Sequence, residues 1–276
     1  MEKKRIQVGN FSIAYFEQNA EAKQTIFFLH GNSGSSLTWR KQINDPLFSS
    51  YRQIAIDLPG HGESSKSIDP ERDYAPITTA RILTEVISTL SKDDPYILAG
   101  FSYSTNLIGE MLTFDINPSG IVLMGLCCLG KDFGMEKVFK PSELPSIFFY
   151  NERDRRVVEH SIKENVRSQE DIDMITNDYF KTDEQFRPAL MKAAGEGNIS
   201  DEILSLKTTG LPLCIINGAL DRLAYPDYIQ RAELSFWRGG ITILSEARHF
   251  VPLDMPAEVN NLIASYAKEV FTPAHV

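Results

Sequence analysis

Gly100-Phe101-Ser102-Tyr103-Ser104 sets a serine between small residues. Tyr96 to Ala99 before it is a short apolar run, and Leu107, Ile108, Met111 and Leu112 after it recur at helical spacing. Strand, sharp turn and helix, with serine at the turn, is the layout of a nucleophile elbow. Small neighbours are needed because the serine is strained and backbone passes close by. A serine hydroxyl is a weak nucleophile at neutral pH, so it needs a base, and the base needs an orienting acid. His249 follows the apolar run Ile241 to Leu244, and Asp221 follows Leu213 to Asn217. Asp227 and Glu246 are rival acids. The chemistry is acyl transfer through a covalent serine intermediate. His30 and His61 sit in glycine-rich turns and read as structural, His160 lies in a helical stretch, and His275 lies in the C-terminal tail.

These three groups must reach one sheet edge. Arg5 to Val8 and Ser12 to Glu17 alternate around Gly9-Asn10, which reads as a hairpin. Thr25 to Leu29, Arg52 to Ile56 and Gly120 to Met124 are continuous apolar strands of the kind buried in a parallel sheet. Thr78 to Leu90 and Pro256 to Phe271 have helical periodicity. The first of these strands runs into His30-Gly31-Asn32-Ser33-Gly34-Ser35-Ser36, which brings backbone N–H groups to the edge where open α/β sheets hold ligands. The N–H groups of Asn32 and Tyr103 are the expected oxyanion donors. Their side chains are candidate substrate contacts, Tyr103 being equally a packing residue.

From Cys127 to about Asn198 the chain turns charged, aromatic and helical in period, with Pro141, Pro145 and Pro188 as breakers. The expected organisation is a core of residues 1–126 and 199–276 with a helical lid, 127–198, inserted. The fold class is α/β, a mostly parallel eight-stranded sheet flanked by helices. Phe133, Met135, Phe139, Phe148, Phe149, Tyr150, Tyr179 and Phe186 are the candidate lining of an acyl cavity, with packing of the lid helices on each other as the alternative role of most of them and at most three or four expected to touch ligand.

The 276 residues suit one large domain, and a net charge of -9 argues against nucleic acid or an anionic membrane as partner. Cys127, Cys128 and Cys214 have no metal-ligand spacing and read as buried free thiols, which fits a cytoplasmic protein. No metal or cofactor is expected, no apolar leader opens the chain, and no stretch has the length of a membrane span. The expected partner is a small molecule with an acyl group that the serine can accept. Oligomeric state is not encoded in any feature of the sequence.

His30-Gly31-Asn32, Asp57-Leu58-Pro59-Gly60-His61-Gly62-Glu63-Ser64, Gly100 to Ser104, Asp221 and His249 resemble the α/β-hydrolase superfamily along nearly the whole chain. The runs HGNSGSS and DLPGHGESSKSIDPERDY, Asn151-Glu152-Arg153-Asp154, and LPLCIING before Asp221 are similar to the lid-bearing N-acyl homoserine lactonases of that fold. The resemblance implies metal-free opening of a lactone by Ser102. Ser104 departs from the usual glycine, and Asp221 stands where the lactonase carries glutamate. A lid tyrosine that contacts substrate there falls at Val158 here. Dehalogenases share the His-Gly-Asn opening but have an aspartate nucleophile followed by tryptophan, unlike Ser102-Tyr103. A broad carboxylesterase, a carbon–carbon hydrolase, and a hydrolase-fold receptor with little turnover are the alternative functions.

Overall fold

The uninterrupted apolar runs fold as strands covered on both faces. The computed structural model describes residues 3–43, 45–141 and 147–272. Pro145 and His275 lie outside the described residues. Eight strands are described: β1 (Lys3–Val8), β2 (Phe11–Gln18), β3 (Thr25–Leu29), β4 (Arg52–Ile56), β5 (Tyr96–Phe101), β6 (Gly120–Met124), β7 (Cys214–Gly218) and β8 (Thr242–Leu244). They form one sheet in the order β1-β2-β4-β3-β5-β6-β7-β8. The β1–β2 and β2–β4 pairs are antiparallel and the remainder parallel.

Alternation along each strand divides the core between the two faces. Phe27, Leu29, Leu98, Ile121, Leu123 and Ile215 join one apolar cluster, and Ile26, Phe28, Ile97, Ala99, Val122 and Ile216 join the other. The helices α1 (Pro70–Asp73), α2 (Pro76–Ser91) and α3 (Tyr103–Met111) precede β6. Between β6 and β7 come α4 (Met135–Val138), α5 (Arg155–Lys163), α6 (Gln169–Lys181), α7 (Phe186–Gly195) and α8 (Glu202–Thr208). The chain closes with α9 (Val251–Asp254) and α10 (Pro256–Phe271).

Pro188 does not break a helix. It is inside the first turn of α7, where a backbone N–H has no intrahelical partner to lose. The segment between β6 and β7 is tied to the residues that follow β3. Asn32 Nδ2 donates to the Phe148 carbonyl at 2.6 Å. Ser35 Oγ donates to Asp178 at 2.6 Å, and Lys41 pairs with Asp171 at 2.9 Å.

Candidate active site

Ser102 owes its position to a strained backbone. It has φ +52° and ψ −121°, between β5 and the start of α3. Such a non-glycine conformation persists only when its surroundings over-determine it. Here the Ser102 N–H donates to the Met124 carbonyl at 2.8 Å, and the Ser102 carbonyl accepts from both the backbone and the hydroxyl of Thr105 at 2.7 Å. Gly100 is required because a Cβ there would lie 2.9 Å from the Ser104 carbonyl oxygen and 2.6 Å from Ile108 Cδ1. Ser104 fits where glycine is usual: its hydroxyl points to the loop after β3 and donates to the His30 carbonyl.

The strand ends bring the three chemical groups together. His249 Nε2 is 2.8 Å from Ser102 Oγ, and His249 Nδ1 is 2.7 Å from Asp221 Oδ2. All three residues are buried. The second Asp221 oxygen accepts from the N–H groups of Leu223 and Ala224 at 2.7 and 3.0 Å. Burial alone pushes the Asp221 carboxyl upward, but His249 and the two amides outweigh it, and it stays below its ordinary value. An ionised Asp221 fixes the Nδ1–H tautomer and leaves Nε2 free to accept the serine proton. The rival acids lie elsewhere. Glu246 is exposed and pairs with Arg167 at 3.2 Å, and Asp227 is exposed on the turn before Tyr228.

The Gly31–Asn32 loop abuts the nucleophile, since a Cβ on Gly31 would fall 2.9 Å from Ser102 Cβ. The backbone N–H groups of Asn32 and Tyr103 donate to no acceptor among the described residues. Two free donors flanking a serine are suited to a developing oxyanion. The Asn32 amide group is engaged by protein, donating to Phe148 and accepting from Ser33 Oγ at 2.6 Å. It anchors the loop, rather than standing free for a substrate carbonyl.

The rings of His30 and His61 brace this loop. Burial lowers the His30 ring to about 4, and lowers His61 well below the ordinary value. Each accepts at Nε2 from a backbone N–H: His30 from Leu58 at 3.0 Å, His61 from Ser33 at 3.2 Å. His160 is exposed on α5, away from the triad.

The candidate substrate residues separate. Tyr103 and Phe139 line one apolar cavity of about 70 Å³ together with Phe149. Phe133 lies in a different groove, its ring 6.2 Å from that of Tyr228. Val158 does not line the cavity either. With Ile162, four residues on, it forms the buried stripe of α5, which packs on α6. Cys127, Cys128 and Cys214 are free and buried, and burial pushes each thiol up, Cys214 to about 12. No group of His, Cys, Asp and Glu able to hold a metal occurs among the described residues. No described helix is long and apolar enough to cross a membrane.

Arg187 was not foreshadowed by any sequence motif. It is buried on α7 with no carboxylate partner among the described residues. Its Nε donates to Ser33 Oγ at 2.9 Å, and its other nitrogens donate to Asn151 and the Tyr179 carbonyl. Ser33, at φ +60°, passes that contact on to Asn32. One cation thus secures the loop that carries a free N–H.

A model of the alpha/beta hydrolase family matches residues 26–262. An epoxide hydrolase from Caballeronia sordidicola is 33% identical over 98 residues, 36% of this chain and 29% of its own. An esterase from Mycobacterium tuberculosis is 27% identical over 133 residues, 44% of this chain and 41% of its own. The matched stretches therefore span less than half of either curated relative. The solved structure of the N-acyl homoserine lactonase AidH complexed with N-butanoyl homoserine has a TM-score of 0.89 at 22% identity, covering 100% of each chain. That likeness is one of fold.

Proposed function

Because the chain belongs to the alpha/beta hydrolase family, we propose that it is a serine hydrolase of carboxylic esters or lactones, with N-acyl homoserine lactone as the leading substrate. The observation that carries this reading is the unbroken chain Ser102–His249–Asp221, with links of 2.8 and 2.7 Å, beside two backbone N–H groups that have no acceptor among the described residues. Ser102 Oγ attacks the carbonyl carbon while its proton passes to His249 Nε2, and Asp221 stabilises the imidazolium. The N–H groups of Asn32 and Tyr103 hold the negative oxygen. Collapse expels the ring oxygen, which takes the proton back and stays tethered to the acyl-enzyme as an alcohol. Water, deprotonated by His249, then releases the open acid.

The segment 127–198 acts in this reading as a lid over the core 1–126 and 199–276. Its apolar residues Phe139 and Phe149, which share a cavity wall with Tyr103, favour a substrate with an apolar acyl part. Proton release in weak buffer from short- and long-chain acyl homoserine lactones, beside p-nitrophenyl acetate and butyrate, tests the assignment. Lactone opening that vanishes in Ser102→Ala supports it. Ester cleavage with silent lactones keeps the serine hydrolase and removes the lactone.

A further inference from the structure

Of the three groups joined at the strand ends, His249 has the weakest support from the sheet. It follows β8, an edge strand of three residues that pairs with β7 alone among the described strands. Ser102, by contrast, follows β5, which has a strand on each side. The loop carrying His249 packs closely on the strand ends. A Cβ on Gly125 would lie 3.1 Å from the His249 carbonyl oxygen, and one on Gly218 would lie 2.1 Å from that of Arg248. Contact of this kind blocks movement towards the sheet and leaves movement away from it unrestrained.

The second restraint comes from the connection between α5 and α6, which gives this loop backbone groups from four residues. The Lys163 and Val166 carbonyls accept from the Arg248 guanidinium at 2.5 and 2.9 Å. The Asn165 carbonyl accepts from the Phe250 N–H at 3.2 Å. The Arg167 N–H donates to Asp254 Oδ1 at 2.8 Å, and Asp254 Oδ2 accepts from the Arg248 N–H at 2.8 Å. The residues on both sides of His249 are thus bonded to this connection. Asp254 spans the connection and the loop with one carboxylate. Lys41 ties the same elements again, donating to the Leu253 carbonyl at 2.8 Å and to Asp171 on α6 at 2.9 Å.

The chemistry of each group suits a brace. A carboxylate with one N–H on each oxygen holds two chain segments at a fixed separation, and such charge-assisted bonds are about twice as strong as neutral ones. A guanidinium at the last carbonyls of a helix satisfies acceptors that the helix leaves open and complements its dipole. We propose that Asp254 and Arg248 are positioning residues for His249, and that they make its approach to Ser102 depend on the seating of the α5–α6 connection. Neither touches the reacting atoms. Outward displacement of that connection takes Arg248 and Phe250 with it and lengthens the 2.8 Å contact between His249 and Ser102. A misplacement of about 1 Å in catalytic geometry can cost about a hundredfold in rate. The proposal deepens the serine hydrolase reading above and rests on it.

The test is the rate at which a small alkyl fluorophosphonate labels Ser102. In that reaction Ser102 Oγ bonds to phosphorus, fluoride leaves, and His249 takes the serine proton. Labelling is read by peptide mass spectrometry at a temperature where each variant is folded, beside kcat and KM for p-nitrophenyl butyrate. Asp254→Asn replaces one acceptor oxygen with an N–H donor, so labelling and kcat should both fall about tenfold or more with KM nearly unchanged. Arg248→Met keeps the backbone N–H on Asp254 and frees the α5 carbonyls, so both rates should fall about threefold. The loss in the double variant should be smaller than the product of the two single losses, because both residues act in one network. Should Asp254→Asn fail to fold, Arg248→Met decides alone. Variants that melt earlier yet label and turn over at the wild-type rate while folded overturn the proposal, as does a rise in KM with kcat unchanged. Wild-type protein that takes no label at Ser102 and cleaves no ester or lactone removes the hydrolase reading itself.

Discussion

Asp221 accepts three hydrogen bonds, and each has a distinct purpose: two backbone N–H groups keep it charged, and His249 receives its orientation. Asp221→Asn preserves shape but favours the wrong imidazole tautomer, so kcat should fall about ten thousandfold with the melting temperature little changed. Glu246→Gln should leave kcat unaltered. A larger effect at Glu246 than at Asp221 would reassign the acid. Arg187 acts one step further out, as a positioning residue. Arg187→Met removes the donor to Ser33 and frees the Asn32 loop, so kcat should drop about ten- to a hundredfold with KM nearly constant. A matched rise in KM with unchanged kcat would mean the residue serves ground-state binding instead.

The elements are joined where there is no room for a side-chain carbon. Gly218 ends β7, and a Cβ there would fall 2.1 Å from the Arg248 carbonyl oxygen and 2.5 Å from that of Ala247. Both oxygens are backbone in the loop carrying His249, so neither can swing aside. Gly218→Ala should destabilise the fold by about 3 kcal/mol, at the upper end of ordinary overpacking, and displace His249. Denaturant unfolding and kcat should fall together, and a stable, fully active variant would contradict this packing. Such junctions explain what the sequence disclosed and withheld. Continuous apolar runs at β3, β5 and β7 announced both the strands and the residues at their ends, because burial on two faces leaves a one-dimensional signature. Val158 and Phe133 carried no such signature. Their destination depends on which face of a short inserted helix or loop meets its neighbour, and apolar spacing looks alike for packing and for ligand contact. Arg187 and Glu202 were illegible for a related reason, since a lone charged residue in a helix reads as solvated until tertiary packing buries it.

Across the whole molecule, the buried carboxyls give stability opposing pH dependences. Glu202 is pushed up to about 8 and Asp178 to about 6, chiefly by burial, whereas Asp221 is held down. Between the ordinary glutamate value of 4.5 and about 8, the folded chain keeps a proton on Glu202 that the unfolded chain has released. Stability from this residue is thus full below that window and is lost as pH rises through it, by at most about 1.4 kcal/mol per pH unit. Asp221 contributes in the opposite sense, losing its part on acidification. Glu202→Gln should flatten the decline in melting temperature between pH 5 and 8, and parallel curves for the two proteins would place the ionisation elsewhere. A net charge of -9 leaves the surface without a general attraction for polyanions, which accords with a small-molecule substrate reaching the sheet edge.

The central claim is that Ser102 becomes covalently acylated. Acid quenching of the protein during turnover of p-nitrophenyl butyrate, followed by peptide mass spectrometry, tests it most directly. A butyryl adduct is expected on the peptide containing Ser102, absent from Ser102→Ala and accumulating faster than it clears when His249 is intact but water is scarce. Turnover with no adduct, or an adduct that survives Ser102→Ala, would contradict it.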